Sequence, residues 1–577
     1  MAFLRNLLAT LVGLIIFSVI GFFMFMGFIA AASADEVPTV KENTVLFFPM
    51  TGVLEEKAVE DPFLTVFADA PPVHSLLDIL ESIRFAKNDP RVKGIYIEPM
   101  YLAAGYASLQ EIRDALIDFK SSGKFVYAYG EYISESDYYV ASVADSLFLN
   151  PTGALEFNGL SANVTFFKGL FEKLDIEPQI FRVGAFKSYV EPYIRKDLSA
   201  ENRLQYEELL GSMYDTYLEN LAVTLGKPVE ELRSISNEMT VSLPKDAEAN
   251  GLIHKVGYED ELKSVMKSRL GVSPGKDLKM MKMGKYAQAI QSEKGYSSNK
   301  VAVIVGEGDL VMGGDEGIVG AAFAEEIRKA RESDRIKAIV LRVNSPGGSM
   351  TASDIIWREI MLTKGKKPII ASFSSLATSG GYYIGMPADT IIAQPNTITG
   401  SIGIFAMWFN LGDFLENKIG INHDVVKTGK YSDLYTLTRS LSDAERAIIQ
   451  RGVNEGYEVF TQKAADARGM SQDELKAIAS GRVWSGTQAL ENGLVDKLGS
   501  FSDAVEMAAE AAGITDDYAV SYYPQEKPFI EEFFDKMNAK VQMTFFGVET
   551  DPLLKQVKKL QHLQGIQARM AGELEVK

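Results

Sequence analysis

Five segments of the chain hold residues suited to hydrolytic chemistry. In Thr399-Gly400-Ser401-Ile402-Gly403 a serine is flanked by glycines that would leave its hydroxyl open to a substrate. A serine hydroxyl needs a base to attack. The chain has no cysteine and only four histidines, His74, His254, His423 and His562, none paired at metal-binding spacing. A thiolate nucleophile, Cys-type zinc sites and Fe–S clusters are excluded, and no cofactor is expected. Lysine can serve as the base when burial disfavours its ammonium form. Lys187, in Gly184-Ala185-Phe186-Lys187-Ser188, has Phe186, Tyr189 and Val190 as neighbours and no run of charges. Lys430, in Gly429-Lys430-Tyr431-Ser432-Asp433, is the alternative base nearer the serine in sequence. Asn344-Ser345-Pro346-Gly347-Gly348-Ser349 lies between a predicted strand and a predicted helix. Its backbone N–H groups are material for an oxyanion site. Ala377-Thr378-Ser379-Gly380-Gly381-Tyr382-Tyr383 supplies a rival serine, Ser379, although close packing at a helix start would also explain its glycines.

An internal repeat bears on each of these segments. Asp89-Pro90-Arg91-Val92-Lys93-Gly94-Ile95 recurs 244 residues later as Ser333-Asp334-Arg335-Ile336-Lys337-Ala338-Ile339. Tyr138-Tyr139 recurs as Tyr382-Tyr383 and Ala144-Asp145 as Ala388-Asp389 at the same offset, and Asn250-Gly251-Leu252 recurs as Asn492-Gly493-Leu494. The first copy has Ala154 where the second has Ser401, and Ile97-Glu98-Pro99-Met100 where the second has its Gly-Gly turn. The fold therefore requires neither feature. Lys187 falls opposite Ser432, so each copy holds one half of a possible Ser–Lys pair.

Positioning these residues takes strands and helices in alternation. Val301–Val305, Ala338–Val343 and Pro368–Ser372 are short β-rich runs, and Ile318–Ser333 and Met350–Thr363 have helical periodicity. The pattern predicts an α/β fold with a largely parallel sheet in each copy. The predicted organisation is an anchor and stalk over 1–42, a first repeat over 43–290, a linker over 291–299, a second repeat over 300–545 and a helical tail over 546–577. The tail is amphipathic from Leu553 to Lys577. Hydrophobic residues make up 46% and charged residues 24%, the balance of a folded protein. A formal net charge of −18 argues against a nucleic-acid partner.

From Leu7 to Ala32 the chain is uncharged. The run is long enough to span a bilayer and longer than the apolar core of a signal peptide, although Ala32-Ser33-Ala34 resembles a cleavage site. The reading is a retained anchor. Arg5 before it, with Asp35 and Glu36 after it, places the N-terminus in the cytoplasm and the body outside.

These motifs, together with Phe186-Lys187-Ser188-Tyr189-Val190-Glu191-Pro192, Val483-Trp484-Ser485-Gly486 and Asn492-Gly493-Leu494-Val495-Asp496, make the chain resemble the signal peptide peptidase A (protease IV) family in its long bacterial form. The resemblance covers all but the C-terminal tail. It implies two tandem ClpP/crotonase-like repeats sharing one Ser–Lys dyad. Ser401 would be the nucleophile, Lys187 the general base and Gly347-Gly348 the oxyanion segment, with Ser379 the internal rival. Apart from the resemblance, Ser432 or Thr428 is the residue expected to orient the lysine. The resemblance further implies a homotetramer anchored in the bacterial inner membrane, degrading remnant signal peptides and other apolar peptides. A crotonase-like acyl-CoA enzyme and an inactive membrane scaffold are the alternative expectations.

Overall fold

The predicted alternation takes shape as two parallel sheets, one per copy. The computed structural model describes residues 2–33, 38–58, 71–291, 293, 297–314, 317–525 and 565–570. The first sheet orders its strands Val73–Ser75, Thr44–Glu55, Val92–Ala103, Phe125–Ile133, Ser146–Leu155 and Lys255–Val256, all parallel. The second runs Ile398–Gly400, Ile369–Thr378, Ile336–Ser345, Lys300–Glu307 and Ala519–Tyr523, also parallel, with Val483–Ser485 antiparallel at one edge. Ile336 and Ile369 begin strands 244 residues after Val92 and Phe125, so the repeat in sequence is a repeat in topology.

The repeated tyrosines have a structural cause. Tyr138 donates its hydroxyl to the Leu252 carbonyl at 2.6 Å, and Tyr382 donates to the Leu494 carbonyl at 3.0 Å. Each bond ties the helix after the third strand to the Asn-Gly-Leu turn of its own copy. Both rings are fully buried, so an unpaired hydroxyl there would be costly.

A third, mixed sheet joins the copies. Its order is Ile318–Val319, Leu310–Val311, Gly347–Ser349, Gly565–Arg569, Ile404–Asn410 and Glu177–Val183. The last strand belongs to the first copy and pairs antiparallel with Ile404–Asn410 from Val183↔Ile404 to Glu177↔Asn410. The chain just before Lys187 is thereby held against the second copy. Two expectations change here. Ile318 and Val319 are strand, and the helix begins at Gly320. The expected helical tail has a strand at Gly565–Arg569, because the open edges of Gly347–Ser349 and Ile404–Asn410 offer it a ladder on both sides. The rest of 546–577, and 526–545 before it, lie outside the described residues.

The copies also share a core. Leu77, Leu109 and Leu116 of the first belong to the same buried cluster as Val301, Val340 and Phe501 of the second. A cation sits at this junction. Fully buried Arg342 donates to Glu56 at 2.7 Å, Glu111 at 2.8 Å, Ser372 at 3.0 Å and Ser374 at 2.9 Å. Burial pushes the Glu111 carboxyl up to about 7, against the pull of Arg342. Removing the guanidinium would leave buried carboxylates without a counter-charge. Arg342→Met is therefore expected to destabilise the protein by about 3–5 kcal/mol at pH 8 in urea unfolding. The sign follows from the raised carboxyl. Glu111 favours folding below its ordinary value of 4.5 and loses that contribution as pH rises through about 7. The defect should be smaller at pH 5 than at pH 8.

The N-terminal helix spans Ala2–Ser33, about 48 Å at 1.5 Å per residue. Its stretch 5–22 is long and apolar enough to cross a membrane, and none of that stretch is buried against the protein.

Candidate active site

Lys187 lies in the first copy, just after the strand that crosses to the second. Arg182 pins its backbone by donating to the Lys187 carbonyl at 3.2 Å. The next residue, Ser188, donates to Asn202 Oδ1 at 2.8 Å and accepts from Gln205 at 2.7 Å, both on helix Ala200–Leu225. Gly481 (φ +81°) packs face-on against the lysine backbone, and a Cβ there would fall 2.7 Å from Lys187 Cα. Lys187 is fully buried. Burial drives its amine well below the usual lysine range, which favours the uncharged form.

The amine reaches into the second copy. Lys187 Nζ is 2.8 Å from Ser379 Oγ, 2.9 Å from the Ser401 carbonyl oxygen and 3.1 Å from Ser401 Oγ. The structure thus brings Lys187 together with both candidate serines. It does not do so with Lys430, Thr428 or Ser432, which lie in an exposed segment. Lys430 stacks on Tyr431 and Ser432 bonds to Gly429. The groups around the amine come from Ser379 and Ser401, not from the Ser432 or Thr428 expected to orient it. Offset alignment failed here because the segment around 421–440 does not repeat the path of the Lys187 turn.

A neutral amine has two donors and one acceptor lone pair. The Ser401 carbonyl can only accept, so it takes one N–H. Ser401 Oγ has a carbonyl of its own to donate to, Gly481 O at 3.4 Å, which leaves it to accept the second N–H. The remaining lone pair then faces the Ser379 hydroxyl, the shortest of the three contacts. On an uncharged amine this allotment satisfies every group and would make Ser379 the hydroxyl that gives up its proton.

The backbone at Ser379 fits that role. Ser379 turns the chain from strand Ile369–Thr378 into helix Gly380–Gly385 at φ 54°, ψ −111°, a conformation L-residues rarely adopt. Its own N–H is held by the Gly400 carbonyl at 2.7 Å. Ser401 is likewise at positive φ, 51°, held by the Arg482 carbonyl at 2.7 Å. The repeat does not separate the two serines. Ser379 has Glu135 as its first-copy counterpart, just as Ser401 has Ala154.

Gly347 and Gly348 stand beside this turn at φ +102° and +150°. A Cβ on Gly347 would fall 2.8 Å from the Gly380 nitrogen and 2.2 Å from the Ala568 carbonyl oxygen, so only glycine fits. The two N–H groups differ in use. Gly347 donates to Ser345 Oγ at 3.1 Å. Met570 donates to Pro346 O at 2.8 Å, and antiparallel alternation then makes Gly348 and Ala568 the next hydrogen-bonded pair. The Gly348 N–H therefore faces the carbonyl of an extended chain in the cleft. Gly380, the first residue of its helix, has an N–H that the helix itself cannot use. It makes a second donor at the same place, one that the sequence offered only as packing glycine. Among the described residues no cluster of His, Asp and Glu could hold a metal ion.

Serine hydroxyls within hydrogen-bond reach of a buried amine, with backbone donors beside them on a parallel α/β scaffold, are the equipment of a serine hydrolase. Residues 118–273 and 361–515 each match peptidase family S49. The chain is 34% identical to "Serine protease SPPA, chloroplastic" of Arabidopsis thaliana, over 86% of this chain and 74% of that protein. It is 34% identical to "Protease 4" of Salmonella typhi, over 81% and 77%, and 34% identical to "Protease 4" of Haemophilus influenzae, over 78% and 75%. The chain belongs to peptidase family S49, in its two-copy form, and is a serine endopeptidase.

Proposed function

We propose that this endopeptidase works through Lys187 as general base and Ser379 as nucleophile, with Ser401 holding the amine. The observation that carries this reading is the fully buried Lys187 amine, whose shortest contact is Ser379 Oγ at 2.8 Å. Lys187 takes the Ser379 proton as Ser379 attacks the scissile carbonyl. Gly348 and Gly380 N–H groups receive the oxyanion. The lysine ammonium then protonates the leaving amine, and water repeats the sequence to release the acyl group. Ser401 as nucleophile, the sequence expectation, is the second reading. It is favoured by its own positive φ and its 3.1 Å contact with the same amine. A fluorophosphonate separates the two. The adduct is expected on Ser379, located by peptide mass spectrometry, and an adduct on Ser401 would reverse the roles.

The substrate class belongs to the same proposal. The edges of Gly347–Ser349 and Ile404–Asn410, which hold Gly565–Arg569 between them, would take a substrate in extended form in its place through backbone bonds and tolerate varied apolar side chains. Signal-peptide remnants released into a membrane fit that chemistry. The N-terminal helix would anchor the body in the inner membrane with its first residues in the cytoplasm, and the assembly would be a homotetramer. Protease digestion of intact spheroplasts should degrade the body.

A further inference from the structure

The strand Gly565–Arg569 lies in the cleft as a substrate would. It is antiparallel to Gly347–Ser349 on one side (Gly347↔Arg569, Gly348↔Ala568, Ser349↔Gln567) and to Ile404–Asn410 on the other (Phe405↔Gln567, Ala406↔Ile566). The Ala568 carbonyl faces the Gly348 N–H. A Cβ on Gly380 would fall 3.1 Å from that same oxygen. A bound peptide carrying its scissile carbonyl at this point would have its next residue where Arg569 is.

Arg569 is nearly buried, and its contacts are specific. Its guanidinium donates to Asp309 Oδ2 at 2.8 Å and lies 5.5 Å from the centre of the Tyr189 ring. Both partners are fixed by the catalytic framework. Asp309 immediately precedes Leu310–Val311, the strand that pairs with Gly348, and its carbonyl is tied to Ile318 N–H at 2.8 Å. Tyr189 is two residues past Lys187 and stacks on Phe405 at 5.0 Å between ring centres. A carboxylate and an aromatic face, one from each copy, make a subsite that matches a planar cation.

We propose that Asp309 and Tyr189 form the subsite for a basic side chain on the residue that follows the cleaved bond. The inference rests on the Ser–Lys reading of the site. The cleavage it selects for breaks the C–N bond after the carbonyl facing Gly348, with water supplying hydroxyl to one product and a proton to the other.

The test uses the full chain and two reporter peptides, Ile-Gln-Ala-Arg-Met-Ala and the same sequence with norleucine in place of arginine. The internal strand competes equally with both, so the ratio of their kcat/KM values is the readout. The arginine peptide is expected to be preferred about tenfold, as for a partly solvated charge-assisted pair, and the preference should shrink as salt is raised. Asp309→Asn should bring the ratio close to one, and Asp309→Arg should reverse it in favour of the norleucine peptide. Equal turnover of both peptides by the wild type, or a tenfold ratio that survives high salt and Asp309→Asn, overturns the subsite. Cleavage of neither peptide, without fluorophosphonate labelling, overturns the Ser–Lys reading itself.

Discussion

Ser379→Ala is expected to abolish turnover of an apolar reporter peptide, a loss of more than about a thousandfold in kcat/KM, while Ser401→Ala keeps a measurable rate. The two serines touch the same amine, so the difference lies in what each hydroxyl does there. On this reading, removing the Ser379 hydroxyl removes the atom that bonds to the substrate. Removing the Ser401 hydroxyl takes away one of the amine's hydrogen bonds but leaves the Ser401 carbonyl, 2.9 Å from Nζ, to hold it. A positioning hydrogen bond of about 1.5–3 kcal/mol converts to roughly a tenfold to hundredfold loss. Steady-state kinetics on both variants, each checked for native melting, decides the matter. A dead Ser401→Ala beside an active Ser379→Ala would restore Ser401 as nucleophile.

The sequence showed the ingredients better than their arrangement. The repeat was legible because both copies keep the same strand starts and the same tyrosine-to-turn bonds. Lys187 was legible because a lysine among Phe186, Tyr189 and Val190 is poorly placed for solvent. The choice between Ser379 and Ser401 was not legible, since it depends on which way protons point around one amine. That in turn depends on Gly481, 80 residues beyond Ser401, whose carbonyl accepts from it. The glycines after Ser379 read as packing residues because a helix start explains them. Their second use appears only once Gly347 is seen beside the Gly380 nitrogen. The C-terminal strand escaped notice for a similar reason. Gly565–Arg569 has the amphipathic composition of a helix, and what makes it a strand is the pair of open edges, contributed by residues more than 150 positions away.

Lys187→Met should abolish activity and at the same time raise the melting temperature. An amine kept neutral by burial is a burden on the fold. The unfolded chain protonates it readily, whereas the folded chain does not, so stability rises with pH between the lowered folded value and the ordinary value of 10.5. The cost is absent above 10.5, grows by about 1.4 kcal/mol for each pH unit below it, and levels off beneath the folded value. Methionine fills similar volume without that cost. It forfeits the contacts to Ser379 and Ser401, worth about 1 kcal/mol each, and in return removes the cost of keeping a buried amine neutral. The gain in melting temperature should therefore be larger at pH 7 than at pH 10, as read by calorimetry. In the wild type the same amine sets the acid limb of kcat/KM. Activity should climb as pH rises through the folded lysine value, because only the unprotonated form can accept the Ser379 proton. A Lys187→Met protein that melts lower than wild type at both pH values would mean the side chain is held as a charged structural partner. Since its neighbours Ser379 and Ser401 carry no negative charge to hold an ammonium, the stabilised and inactive variant is the outcome this packing requires.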